Sequence, residues 1–150
     1  MIVLGTRDDL TPLMPLFKRF QEEFSPWDDF SEEKITESFE HTVFNPSLPG
    51  LFAIAQTDEG KPGGFLIAVA VPSLFSYEIQ TQELAFFVVP EERKSRMARN
   101  LLGTYQYWAK DIVNADICSL SLMDDRVGKL YERMGYIKAE TSYIKKISKG

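Results

Sequence analysis

The chain has 150 residues, 44% of them apolar and 13% aromatic, and a net charge of −5. That length and apolar content suit one domain, residues 1–150, with a packed core and exclude a disordered chain, and no apolar run approaches the roughly 20 residues of a membrane-spanning helix. A single cysteine, Cys118, excludes an intrachain disulfide and a Cys-rich zinc site, and the acidic balance argues against binding a phosphate backbone.

The stretch 1–4 is a short apolar strand, and residues 1–7 lack the basic start and long apolar core of a signal peptide. Together with the lone cysteine this predicts a reducing cytoplasm. From Leu10 the apolar residues Leu10, Leu13, Met14, Phe17, Phe20 and Phe24 follow helix-face steps. Thr11 is a candidate cap and Pro12 suits a first turn, whereas Pro15 removes an early hydrogen bond and predicts an irregular start or a bend. Residues 25–29 break this helix. Ser31 caps a second one, with Phe30 and Ile35 at the staple positions around it, and Asn45-Pro46 ends it.

A β-rich region follows. Strands over 51–55 and 65–71, joined by a turn at 58–62, read as a hairpin. Residues 72–82 form a loop or a ragged strand edge. Residues 84–89 are nearly all apolar, which predicts a strand buried on both faces and stopped by Pro90. Residues 97–113 carry the clearest helical stripe: Met97, Leu101, Tyr105, Trp108 and Ile112. A strand over 117–122 and a short helix over 125–134 come next. Gly135 sits at the left-handed C-terminal position, and 143–147 reads as a final strand. The order β-α-α-β-β-β-α-β-α-β predicts an α/β architecture: an α+β mixed sheet with helices on both sides, the strands at 84–89 and 117–122 being parallel across a right-handed crossover.

Charge is uneven along the chain. Residues 22–40 hold Glu22, Glu23, Asp28, Asp29, Glu32, Glu33, Glu37 and Glu40 against Lys34 alone, while residues 93–99 hold Arg93, Lys94, Arg96 and Arg99 with no acid. The basic knot follows a buried strand and opens a long helix. A helix start offers unpaired N–H groups and the positive end of the dipole, so this is a ready site for an anion such as a pyrophosphate. A solvated helix start is the plain alternative.

At this point the chain resembles the Gcn5-related N-acetyltransferase (GNAT) family. The family signature is a strand, then Arg or Gln, two variable residues, Gly, one variable residue, and Gly or Ala. Those slots fall on Arg93, Arg96 and Ala98, with Leu101-Leu102 following. A second family segment, an aromatic helix ending in Gly-Phe or Gly-Tyr, matches the run from Leu130 through Tyr131 to Gly135-Tyr136. The departure is Arg96 in the usual Gly slot: a left-handed backbone there would cost about 1–2 kcal/mol.

The resemblance implies a GNAT-like acyl-CoA N-acyltransferase fold and acetyl-coenzyme A (acetyl-CoA) as cofactor. Main-chain groups of Val88 and Val89 would meet the pantetheine arm. The backbone of Arg93, Lys94, Ser95, Arg96, Met97 and Ala98 would cradle the pyrophosphate. The arm would lie where the parallel strands splay. Val88 N–H would be the oxyanion donor. Asp124 stands in the cofactor region where the family often has Asn. Transfer to an amine needs a base, an oxyanion donor and an acid for the leaving thiolate. Glu83, ten positions before Arg93, is the candidate base or else an ordinary strand-end acid. Tyr131 is the candidate acid or else a half-buried aromatic. His41 reads as a surface residue, and Cys118 as an inert buried thiol with no basic neighbour.

The family's first two helices border the acceptor. The acids at 22–40 and the aromatic faces of Phe24, Trp27, Phe30, Phe75 and Tyr77 predict a cationic acceptor, a small polyamine-like molecule or a lysine side chain. It would enter past Trp27, Asp28 and Phe30 on one side and Phe75 and Tyr77 on the other. No metal, nucleic-acid or membrane partner is expected, and a homodimer stays open. The rival reading is a non-catalytic module of the same fold that binds the cofactor or another protein. Transfer of a longer acyl group, or to a hydroxyl, is also left open.

Overall fold

The computed structural model describes residues 1–121 and 125–147. A five-stranded sheet forms the centre, in spatial order β1 (Ile2–Leu4), β2 (Gly50–Gln56), β3 (Pro62–Pro72), β4 (Ile79–Val88) and β5 (Ile117–Ser119). All neighbours pair antiparallel except β4 and β5, which are parallel. The crossover between those two is α3 (Met97–Tyr107), prolonged by a π-helical turn at Trp108–Ile112. The remaining helices are α1 (Leu10–Phe24), α2 (Glu32–His41) and α4 (Asp125–Arg133).

The apolar runs in β2 and β3 are continuous because both sheet faces are covered. On one face Ala53, Ala55, Ala68 and Ala70 are small, and Leu101, Leu102 and Tyr105 of α3 pack against that face. On the other, Phe52, Ile54, Phe65 and Ile67 meet Leu13, Met14 and Phe17 of α1 and Phe39 of α2. Ser31 caps α2 by accepting from Lys34 N–H at 3.2 Å, and Phe30 and Ile35 pack against this second core. The β2–β3 turn takes Gly60 at φ 82°, a conformation that costs glycine little.

The start of α1 differs from expectation. A 3₁₀ turn, Arg7–Asp9, precedes it, and Asp9 accepts from Thr6 N–H at 2.7 Å, so Thr6 rather than Thr11 opens the helical segment. Pro15 is carried inside α1.

Strand β4 starts at Ile79, earlier than its apolar run, because residues 79–82 hydrogen-bond to β3, and residues 80–82 also pair with β5. The pairing then jumps from Ala68↔Glu83 to Ile67↔Ala85, which makes Leu84 a bulge residue. It is therefore 43% exposed instead of buried on both faces. Pairing between β4 and β5 covers only Gln80–Gln82 with Ile117–Ser119, and beyond it the strands part. Tyr105 pins the paired end by donating to Ser119 O at 2.7 Å and Thr81 Oγ1 at 3.1 Å, while Ser119 Oγ donates to Thr81 O at 3.0 Å.

The final strand expected over 143–147 is not formed. Tyr143, Ile144 and Ile147 are exposed, and these residues pair with no strand among those described. A strand needs a ladder partner and a face to bury. Lys145 and Lys146 interrupt this run, and Lys146 Nζ instead donates to Trp27 O at 3.3 Å. Leu122, the expected end of the fifth strand, lies outside the described residues. Among the described residues no helix is long and apolar enough to cross a membrane.

Candidate active site

The gap between β4 and β5 opens into a cavity of about 540 Å³. It reaches both sides of the sheet. Phe86, Val88, Ala98, Leu130 and Tyr131 line it from the α3–α4 side, and Phe20, Phe24 and Phe87 from the α1 side. The β3–β4 ladder resumes after the bulge at Leu84, and the residues that follow it alternate strictly between the two faces.

Glu83 lines the cavity just before the bulge and is only 7% exposed. Burial disfavours its charge and pushes its pKa up to about 7, against the opposing pull of a hydrogen bond from the Ser121 backbone. Tyr131 comes from α4 and donates to Ser121 O at 3.1 Å. Burial and the neighbouring Glu83 carboxylate hold its hydroxyl well above the usual phenol range, so it keeps its proton. A carboxylate poised near neutrality and a protonated phenol thus converge on one residue, Ser121, just past the last paired residue of β5.

At the other end of β4 the backbone turns through Pro90–Glu92 into α3. Val88 pairs with Gly64 while Val89 N–H donates to Gly63 O, so the N–H and C=O of Val88 face away from β3, toward the gap. Val88 O accepts from Arg93 Nε at 2.9 Å. Val89 is fully engaged within the chain, its carbonyl accepting from Glu92 N–H. Arg93 is also bound to Glu23 at 2.6 Å and lies 5.9 and 5.7 Å from the ring centroids of Phe24 and Phe87. It works as a strut between α1 and β4. Ser95 Oγ accepts from Met97 N–H, whereas the N–H groups of Lys94, Arg96 and Ala98 have no partner among the described residues. Lys94 and Arg96 form no ion pair there, and their side chains are exposed. Arg96 has φ −81°, an ordinary right-handed value. The usual Gly slot therefore imposes no left-handed strain on it.

No protein-family model matches the sequence, and no curated protein matches it. Solved structures do. The ribosomal-protein-alanine N-acetyltransferase of Brucella melitensis biovar Abortus 2308 is 17% identical with a TM-score of 0.71, the match covering 98% of this chain and 99% of that one. The aminoglycoside antibiotic 6'-N-acetyltransferase AAC(6')-Ih of Acinetobacter baumannii is 18% identical with a TM-score of 0.73, covering 100% and 99%. A GNAT family acetyltransferase of Staphylococcus aureus is 15% identical with a TM-score of 0.70, covering 98% of each chain. The chain has the GNAT fold.

Within this GNAT frame the structure brings Glu83, Tyr131, Val88, Lys94 and Ala98 to one cavity. Asp124 lies outside the described residues. The expected acceptor residues are not brought together. Trp27 and Asp28 sit in the exposed turn after α1, where Gln21 Nε2 donates to Asp28 O at 2.6 Å, and Phe30 packs into the core. Phe75 and Tyr77 are 93% and 107% exposed at the β3–β4 turn. That turn is at the Ile79 end of β4, about 13 Å by strand rise from Glu83. None of Trp27, Asp28, Phe30, Phe75 and Tyr77 lines the cavity. None of the acids at 22–40 lines the cavity; Glu23 holds the cavity residue Arg93, Glu40 holds Arg7, and Glu37 faces His41.

From the sequence Phe20 and Phe24, one turn apart on α1, are candidates for the core or for lining the acceptor site, and both line the cavity. Sequence reasoning missed Phe87, Ser121, Arg126 and Arg133 as cavity residues. Ser121 gave no signal, because its contribution comes from its backbone.

Proposed function

We propose that the protein is an acetyl-CoA-dependent N-acetyltransferase that passes the acetyl group directly to a primary amine in a ternary complex. The observation that carries this reading is the convergence of Glu83 and Tyr131, from β4 and α4, on Ser121 in the cavity where β4 and β5 part. The residues at the start of α3 fit the cofactor's phosphates: three unpartnered N–H groups beside two unpaired cations, Lys94 and Arg96, at the positive end of a helix. Val88 N–H, on the open edge of β4, is placed to donate to an oxyanion. When bound, the cofactor supplies an acetyl thioester, whose C–S bond breaks as the C–N bond to the acceptor forms.

Glu83 accepts the proton that the amine must lose, and its pKa near 7 suits that task at neutral pH. Tyr131 Oη supplies a proton to the leaving sulfur. Its raised pKa keeps the hydroxyl protonated at neutral pH and makes it a weaker acid than an ordinary phenol. Walls built by Phe86, Val88 and Leu130 exclude water and so limit hydrolysis. Arg96 in the usual Gly slot bears on the rival reading of a non-catalytic relative; its φ of −81° carries no left-handed strain, which supports the catalytic reading.

The test is free-thiol release from acetyl-CoA in the presence of a panel of primary amines, with mass analysis of the amine. Amine-dependent release with stoichiometric acetylated product is the expected result, and Glu83→Gln lowers it by about 10²-fold or more. Release that is independent of amine, with no acetylated product, refutes the reading.

A further inference from the structure

The α1 side of the cavity is an aromatic wall. The ring centroids of Phe20, Phe24 and Phe87 stand 5.5, 6.1 and 6.2 Å apart in a triangle, and Phe65 backs Phe20 and Phe87 at 5.9 Å from each. Phe20 and Phe24 are only half-buried, and all three triangle rings line the cavity.

The charges around this wall are cationic. Arg93, Lys94, Arg126 and Arg133 line the cavity, and Glu83 is its only acid among the described residues. None of the acids at 22–40 lines it, and the nearest in contact, Glu23, is bound to Arg93. The position over Phe24 and Phe87 that attracts a cation is already filled by the Arg93 guanidinium.

An acceptor with one amine gives up its single charge at Glu83 and leaves none behind. A polyamine would keep further positive charges against a wall that, among the described residues, offers no second carboxylate, at a Coulomb cost that grows as water is excluded. Taking the acetyltransferase reading above as its basis, we propose that the acceptor is a small monoamine on an apolar body, aromatic or aliphatic, seated against Phe20, Phe24 and Phe87, and that polycationic amines are rejected. This departs from the polyamine-like acceptor that the acid-rich segment suggested.

The experiment compares 2-phenylethylamine, hexylamine, spermidine and β-alanine as acceptors, by thiol release and product mass. The expected kcat/KM for the two apolar amines exceeds that for spermidine and β-alanine by at least about 10-fold. Phe24→Ala raises KM for 2-phenylethylamine by about 10-fold, in line with losing an aromatic contact and its buried area, and leaves KM for acetyl-CoA within about 2-fold. Phe24→Leu, which keeps most of the volume, retains hexylamine while losing part of the preference for the aromatic amine. A preference for spermidine or β-alanine overturns the proposal and leaves the acetyltransferase reading standing. An unchanged KM for 2-phenylethylamine in both folded variants also overturns it. Failure of every amine to give acetylated product overturns both.

Discussion

Replacing Glu83 by Gln tests whether one buried carboxyl both costs stability and sets the reaction's pH dependence. In the folded chain its pKa stands at about 7, against 4.5 for the free group, and burial is the main cause. The folded state therefore holds this proton more tightly than the unfolded state does. The resulting stabilisation is full below about pH 4.5 and is lost as pH rises through about 7. The difference corresponds to about 3 kcal/mol. Glutamine keeps the shape and never ionises, but it weakens the hydrogen bond from the Ser121 backbone, worth about 1 kcal/mol. Desolvation outweighs that bond, so at pH 8 Glu83→Gln should be more stable than wild type by about 2 kcal/mol, or roughly 4–8 °C in Tm for a chain of this size. At pH 4.5 the advantage should vanish. Melting curves of both proteins at pH 4.5, 6, 7 and 8 isolate the residue, because every other titrating group is shared. Over the same range, wild-type kcat/KM should rise about tenfold per pH unit below about 7 and level off above it, and the variant should lose that limb. A Tm difference that does not change with pH would refute the buried-carboxyl argument, whatever the activity does.

Three further substitutions separate chemistry from scaffold. Tyr131→Phe removes the proton donor and the bond to Ser121 O, so kcat should fall by about 10²-fold or more while KM for acetyl-CoA and the Tm change little; an undiminished kcat returns Tyr131 to packing. Arg96→Glu should weaken coenzyme A binding in calorimetry and reduce its salt dependence with no change in Tm, because the side chain is exposed and its backbone relaxed; unchanged affinity removes Arg96 from the phosphate site. Arg93→Ala should act oppositely, lowering stability by about 1–2 kcal/mol through loss of the bonds to Glu23 and Val88 O and of two ring contacts; a variant of unchanged Tm would show that the strut carries no load.

Much of the architecture is legible in the residues. Alternation and turn chemistry around Gly60 mark the β2–β3 hairpin, Ser31 with its staple marks α2, and Gly135 takes the left-handed φ of 92° that its place after α4 requires. These signals are local, and each is a property of a few adjacent residues. The final strand over 143–147 misled because its pattern is also local, whereas a strand exists only when an edge is there to receive it. Arg93 shows the same dependence on distant residues: a cation at a helix start reads as an anion ligand, and in the fold its guanidinium, on the cavity wall, is bound by Glu23, seventy residues away.

By itself the sequence determined the order of elements as far as α4, the parallel crossover, and the strand–turn–helix junction with its cations, since composition and periodicity at that junction leave little choice. It also singled out Glu83 and Tyr131. What only the tertiary structure decided is how these meet. β4 and β5 part after Gln82 and Ser119, the residues of β4 beyond the bulge at Leu84 alternate to the two faces, and Glu83 is buried beside Tyr131 on the backbone of Ser121. The same geometry leaves Phe75 and Tyr77 exposed at the β3–β4 turn, and neither they nor the acids at 22–40 line the cavity. Register, burial and pKa depend on what lies across the sheet, and that information resides in contacts between residues distant in the chain.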